Sequence, residues 1–196
     1  MPLYQHQPVT QISELIQGCI NGERHSQSRL YEALAPRMFV VCLRYARSRE
    51  EAEEVLQEGF MRVFEYIRQY KFTGSFEGWV RKIMVNCALS KYRSKSQLHA
   101  VVNIDVDNTN FDQADREDIL SKISVKELIS MVQQLPPGYR VVFNLYVFEG
   151  MKHREIAAHL NISEGTSKSN LSDARAILQK NIANSLLSVK QNVNEL

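Results

Sequence analysis

The stretch His153-Arg154-Glu155-Ile156-Ala157-Ala158-His159-Leu160-Asn161-Ile162-Ser163-Glu164-Gly165-Thr166 has the spacing of a helix-turn-helix. Each position has a physical reason. Ala157 is small where two helices cross closely, and Asn161 tolerates the left-handed backbone that a tight turn needs. Ile156, Leu160 and Ile162 are the apolar contacts that fix the crossing angle, and Ser163 is a good N-cap for the helix that follows. That helix is expected to be the reader. Its early residues Glu164, Thr166, Ser167, Lys168 and Asn170 are expected to be exposed, within reach of base edges or phosphates, with Ser172 and Arg175 further along. The same spacing suits an αα-hairpin with no role on DNA, so the rest of the chain has to decide.

Outward from this motif, apolar residues recur at helical spacing through most of the 196 residues, and no strand alternation competes. The expected fold class is all-α. Val125, Leu128, Ile129 and Val132 form a stripe that halts at Leu135-Pro136-Pro137-Gly138 and resumes with Val141, Val142, Leu145 and Phe148, closed by Glu149-Gly150. A short helix near Lys152 to Leu160 leads into a longer one from about Glu164 to Asn181. Before this domain, between about Ser96 and Asp118, the periodicity fails and acids accumulate among Asn, Thr and Gln. That is an acidic flexible linker, with Val101, Val102, Ile104 and Val106 as anchors of a tether in preference to a short strand.

The first 97 residues hold four further stripes. Ile12, Leu15, Ile16, Cys19 and Ile20 end at Asn21-Gly22. A helix from about Gln27 to Ala46 buries Leu30, Leu34, Met38, Val41, Cys42 and Tyr45, and Pro36 is expected to bend or break it. Ala52, Val55, Leu56, Phe60, Val63, Phe64, Ile67 and Tyr70 follow a Glu-rich first turn that complements the helix dipole. Lys71-Phe72-Thr73-Gly74-Ser75 interrupts, and Ser75 caps a helix carrying Phe76, Trp79, Val80, Ile83, Met84 and Cys87. The expected organisation is two small helical domains: 1–25 an N-terminal helix, 26–97 the first domain, 98–122 the linker, 123–185 the second domain, 186–196 a tail.

With 44% apolar and 23% charged residues, disorder throughout is excluded. The longest apolar run, Met38 to Leu43, falls far short of the roughly 20 residues that cross a bilayer, and the opening MPLYQHQPVT has no signal-peptide core. A cytoplasmic protein without membrane insertion is expected. Cys19, Cys42 and Cys87 are odd in number, widely spaced and on apolar stripes, hence small core residues and neither a disulfide framework nor a zinc site.

The net charge of +2 hides a segregation. Residues 49–58 carry five acids against one cation, 59–97 carry eight cations against two acids, and 98–127 carry seven acids against three cations. Arg81, Lys82, Lys91, Arg93 and Lys95 occur without an acid among them, with Phe72, Phe76, Trp79 and Tyr92 interleaved nearby. Cations that follow phosphates and aromatics that stack on bases suit single-stranded or opened nucleic acid. Trp79 lies on the apolar stripe and reads first as core; Asn86 sits opposite that stripe, a base reader or a solvated amide. The block Glu50-Glu51-Ala52-Glu53-Glu54 would repel phosphates and should face a protein.

These residues resemble the extracytoplasmic-function class of bacterial RNA polymerase sigma factors. From about Leu30 to Ser96 the chain is similar to sigma region 2, through Glu51-Ala52-Glu53-Glu54-Val55-Leu56-Gln57-Glu58, Phe60, Phe76-Glu77-Gly78-Trp79-Val80-Arg81-Lys82-Ile83 and Asn86. From about Ile129 to Asn181 it is similar to region 4, through Leu135-Pro136-Pro137-Gly138-Tyr139-Arg140, Glu155-Ile156-Ala157, Ser163-Glu164-Gly165-Thr166-Ser167-Lys168-Ser169 and Ala174-Arg175. The resemblance implies a promoter-specificity subunit that binds core RNA polymerase, recognises −35 and −10 elements and assists melting. Glu51, Glu53, Glu54, Gln57 and Glu58 would dock on the clamp helices of the beta-prime subunit. Lys71, Phe72, Thr73, Gly74 and Ser75 would form a loop that captures a flipped base of the −10 element, and Phe76, Arg81, Lys82, Asn86 and Arg93 would line the adjacent strand path. Ser163, Glu164, Thr166, Ser167, Lys168, Asn170 and Arg175 would read the −35 element, while apolar surfaces of region 4 touch the beta flap. An anti-sigma factor is a further candidate partner. The family often has Val at Ser167 and Arg at Asn170, so the −35 sequence preference and phosphate contacts that the resemblance implies stay open at those two positions.

Beyond that match, residues 98–118 carry six acids and one base, and Asp105, Asp107, Asp112 and Asp115 are expected to mimic nucleic acid in the polymerase channel before transcript extension. The isolated chain is expected to bind DNA weakly until polymerase covers its acidic faces. The competing reading is a stand-alone helix-turn-helix regulator, which leaves residues 49–95 unexplained. An enzyme is disfavoured: the histidines are scattered, there is no Gly-rich phosphate loop, and His153 and His159 miss the i, i+4 spacing of paired ligands. No catalytic residue, metal, cofactor or small-molecule substrate is expected.

Overall fold

The computed structural model describes residues 9–98 and 124–194, and the regular structure of these residues is helical throughout. Two compact units divide the chain at Ser90. The first holds α1 (Val9–Ile20), α2 (Arg24–Tyr45), α3 (Arg49–Tyr66), a 3-10 turn (Ile67–Gln69) and most of α4 (Phe76–Leu98). The second holds α5 (Val125–Gln134), α6 (Pro137–Val147), α7 (His153–Leu160) and α8 (Glu164–Asn194).

In the first unit the apolar stripes meet as their spacing predicts. Leu30, Leu34, Met38 and Cys42 of α2, Ala52, Val55, Phe60 and Val63 of α3, and Val80, Met84 and Cys87 of α4 are all buried. Met84 of α4 packs against Gly59 of α3, where an added Cβ would lie 2.2 Å from the Met84 sulfur, so no larger residue fits without displacing that side chain. All three cysteines are buried thiols. Burial, and then the Glu23 charge, pushes the Cys19 thiol up to about 11. Burial, and then Cys87, pushes Cys42 up to about 12.

Two local expectations fail. α2 is not broken at Pro36, the sharper of the two outcomes expected there, and it begins at Arg24, three residues before the expected start. Pro36 and Glu32 both lie on the exposed face, where water can serve the Glu32 carbonyl that the proline cannot bond. The third stripe does not stay α-helical to Tyr70: α3 ends at Tyr66 and tightens into the 3-10 turn, which turns Tyr70 inward.

The second unit packs α6, α7 and α8 around Val141, Val142, Leu145, Ile156, Leu171 and Ala174, all buried. Ser124 and Glu127 form a reciprocal cap at the start of α5. α8 continues to Asn194, thirteen residues past its expected end near Asn181. Residues 99–123 lie outside the described residues, so the linker aspartates and the choice between tether and strand are outside them as well. No helix of the described residues is long and apolar enough to cross a membrane. No group of three or more His, Cys, Asp or Glu among them is placed to hold a metal ion.

Candidate nucleic-acid and polymerase interfaces

Ser48 caps α3, accepting from the Glu51 amide at 3.3 Å, while a Glu51 carboxylate oxygen accepts from the Arg47 amide at 2.7 Å. Because Ala52, Val55, Leu56 and Phe60 turn inward, the opposite face displays Glu53, Glu54 and Gln57 to solvent. Of the five residues expected to bind a protein, the structure thus gathers these three on one exposed stripe. Glu51 and Glu58 sit half-buried at its edges. Glu53 pairs with Arg49 at 2.9 Å and Glu58 with Arg62 at 2.6 Å; both are exposed i, i+4 pairs whose partners compete little with a docking protein. One turn beyond Gln57, Met61 is 73% exposed. Its i+4 spacing from Gln57 could have marked it in the sequence.

The loop Lys71 to Ser75 is exposed at every residue. Phe72 has φ 55, a left-handed conformation that costs a bulky side chain of order 1 kcal/mol or more. Its ring is 55% exposed and rests against Tyr70, centroids 5.0 Å apart. The Tyr70 hydroxyl donates to the Gly74 carbonyl at 2.8 Å and closes the loop, while the Tyr70 ring meets Phe76 edge-on at 4.9 Å and Trp79 at 5.7 Å. Ser75 caps α4, accepting from the Gly78 amide at 3.3 Å.

Phe76 corrects an expectation. It was expected on the strand path, but only 6% of it is exposed: as the first residue of the apolar stripe of α4 it packs under Tyr70. Trp79, expected in the core, is half-buried and stacks on Phe76 at 5.6 Å and 26°. Lys82, Asn86 and Arg93 are exposed and follow one another along a single face of α4, at intervals of four and seven residues; Arg81 is half-buried beside them.

In the second unit the turn is as the residues predict. Asn161 has φ 55 and closes α7. The Ser163 hydroxyl accepts from the Thr166 amide at 2.9 Å. Ile156 is fully buried, whereas Leu160 and Ile162 are only half-covered. On α8, Glu164, Thr166, Lys168 and Arg175 are exposed, and Asn170 is half-buried. Glu164 and Lys168 pair at 2.9 Å, and the hydrogen bond from Lys168 holds the Glu164 carboxyl below the usual carboxylate range.

Ser167 is the second correction. Expected to be exposed, it is 0% exposed, because it shares the inward face with Leu171 and Ala174 at i+4 and i+7. Its hydroxyl lies 3.0 Å from His153 Nδ1, and the His153 ring stacks on Tyr146 at 4.8 Å and 25°. Arg175 lies over the other aromatic of this group, 5.6 Å from the Tyr146 centroid. Tyr146, Val147 and Phe148 leave an exposed apolar patch at the end of α6.

Residues 30–97 match Sigma-70 region 2, and residues 126–178 match Sigma-70 region 4. The two matches cover 121 of the 196 residues. The ECF RNA polymerase sigma factor SigE of Mycolicibacterium smegmatis is 29% identical over 161 residues, which are 81% of this chain and 62% of that protein, so the chain spans under two thirds of that relative. SigW of Bacillus subtilis, also an ECF sigma factor, is 26% identical over 180 residues, 87% of this chain and 96% of that one. Among solved structures, the sigma factor RpoE of Bartonella quintana, in complex with the anti-sigma factor NepR, aligns with a TM-score of 0.47 at 19% identity, over 80% of this chain and 96% of that chain. A region 2 match adjoining a region 4 match is not the pattern of a stand-alone helix-turn-helix regulator. The chain belongs to the sigma-70 family, and the relatives it resembles are RNA polymerase sigma factors of the extracytoplasmic-function class.

Proposed function

We propose that each of four surfaces takes a separate part in the protein's work. The α3 stripe of Glu53, Glu54 and Gln57, with Met61 as its apolar anchor, docks on the clamp helices of core polymerase. The loop Lys71 to Ser75 captures a flipped base of the −10 element, and Lys82, Asn86 and Arg93 guide the strand along α4. The exposed face of α8, Glu164, Thr166, Lys168 and Arg175, with the half-buried Asn170 at its edge, reads the −35 element, with Ser163 holding the helix N-terminus toward the phosphates. The apolar end of α6 serves the beta flap or an anti-sigma factor. Such a protein works in the cytoplasm and needs no catalytic group of its own, since polymerase transfers the nucleotide.

The observation that carries this reading is the exposed ring of Phe72, held in a costly backbone conformation next in sequence to the exposed Lys71. Unstacking a base costs a few kcal/mol, and capture of that base on an aromatic ring offsets it. Pull-down with core polymerase, followed by in vitro transcription from a broad promoter library, tests the whole: folded protein that binds core and directs no initiation would sink the proposal. Charge reversal at Glu53 and Glu54 is expected to abolish the pull-down while leaving the helical fold intact. For the linker, replacing Asp105, Asp107, Asp112 and Asp115 with Asn and Ser is expected to change the ratio of abortive to full-length transcripts, and an unchanged ratio counts against mimicry.

A further inference from the structure

On the inward face of α8 the hydroxyl of Ser167 is buried, in register with the apolar Leu171 and Ala174. A buried hydroxyl without a partner is costly. Here the partner is His153, the first residue of α7, whose Nδ1 lies 3.0 Å away. The imidazole is itself fixed by the face of Tyr146 on α6, at 4.8 Å and nearly parallel. The same Tyr146 ring receives the Arg175 guanidinium from α8, two turns beyond Ser167. One continuous set of contacts therefore leaves α8 at Ser167, crosses α7 and α6, and returns to α8 at Arg175. Both ends adjoin residues on the exposed face: Thr166 and Lys168 flank Ser167, and Arg175 is exposed itself.

A set closed in this way fixes what apolar packing leaves loose. Leu171 and Ala174 hold α8 against its neighbours by contacts that have no preferred direction, whereas a hydrogen bond and a ring stack have definite directions. A contact to a base edge is directional as well, so the rotation of the helix that carries the reading side chains enters its strength.

We propose that His153 is a positioning residue for sequence readout: through Ser167 on one side and Tyr146 on the other it sets the rotation of α8, and so the discrimination between −35 sequences. This rests on the reading of α8 as the −35 helix. His153 touches no DNA in this scheme.

The test uses the full chain with core polymerase, a promoter selected from a library randomised at −35, single-base −35 variants of it, and a pre-melted template lacking a −35 element. His153→Phe keeps a ring against Tyr146 and removes the bond to Ser167. His153→Asn puts an amide near the place of Nδ1 and removes the stack. Ser167→Val fills the space without the hydroxyl. The phenylalanine and valine variants are each expected to lower the ratio of transcription from the selected promoter over its variants by about three- to ten-fold, with unchanged transcription from the template lacking −35. The double variant is expected to lose no more than either single one, and His153→Asn to recover at least half of the lost ratio. Discrimination within two-fold of the original in both single variants, additive losses, or an equal fall on the template lacking −35 would each overturn the proposal. Unaltered protein that is indifferent to every −35 base would overturn the −35 reading of α8, and the positioning role with it, and is told apart by the control reaction alone.

Discussion

Phe72 and Asn161 share a backbone conformation, φ 55, and each precedes a serine-capped helix. They differ in what the conformation costs. Asn, with a short polar side chain, enters the left-handed region readily, so Asn161 is an economical way to turn α7 into α8. Phe has no such excuse. Its conformation is held by Tyr70, which bonds Gly74 and packs against the Phe72 ring. One turn builds a scaffold; the other holds an apolar ring out in water. Strain of that kind is worth explaining by function when a neighbouring residue visibly enforces it.

Exchanging the two residue types tests the contrast most severely. Phe72→Asn keeps the turn and removes the ring. Initiation from duplex promoters is expected to fall by about five- to hundred-fold, the value of one base–aromatic stack, while a pre-melted template responds less and thermal stability is unchanged or slightly higher. A loss of stability equal to the loss of activity would make Phe72 a structural residue and erase the difference between the turns. The reciprocal change, Asn161→Phe, is expected to destabilise the second unit by about 1–2 kcal/mol, read as a lower midpoint in a thermal melt, and Asn161→Gly to have little effect.

The two turns were unequally legible in the sequence. Asn161 and Ser163 announce themselves, because each residue type has a steric or hydrogen-bonding reason for its place that depends on neighbours within four positions. The apolar stripes are legible for the same reason. Phe72 was visible as an aromatic in a loop, but its backbone conformation depends on Tyr70 and Phe76 meeting in space, and helical periodicity had already assigned Tyr70 to a stripe. Ser167 was misread because a polar residue on a reading helix was assumed to face outward. Its register with Leu171 and Ala174 was available, and the polar partner that makes burial tolerable lies fourteen residues earlier on another helix. The break at Pro36 does not occur because the missing donor leaves unbonded a carbonyl, that of Glu32, on a solvated face.

The serine caps sharpen the comparison at a smaller scale. Ser163 accepts at 2.9 Å and Ser75 at 3.3 Å. Ser163→Ala is expected to cost about 1 kcal/mol in the melt of the second unit, and Ser75→Ala less in the first, where the first-turn Glu77 is also tied to Arg37 of α2 at 2.7 Å. Equal losses would show that the tertiary pair adds nothing to the cap.

At α8 the first-turn carboxylate is held chiefly by a local partner, with smaller contributions from His153 and Arg154, and its pH response is the smallest effect expected. The hydrogen bond from Lys168, and then its charge, lowers the folded value of Glu164 beneath the ordinary carboxylate range. A lowered carboxyl contributes stability that is fully present above its unfolded value and is lost as pH falls through the lowered folded one. The first turn of α8 is therefore expected to keep its amide-exchange protection down to the ordinary carboxylate range and to lose it progressively below. The Glu164→Gln variant should show a flat profile there, with Lys168 released from its partner. Because the pair is solvent-exposed, added salt is expected to shrink the difference between the two proteins. A profile that steps in the same place for both would assign the effect to other carboxylates and leave Ser163 as the cap of α8.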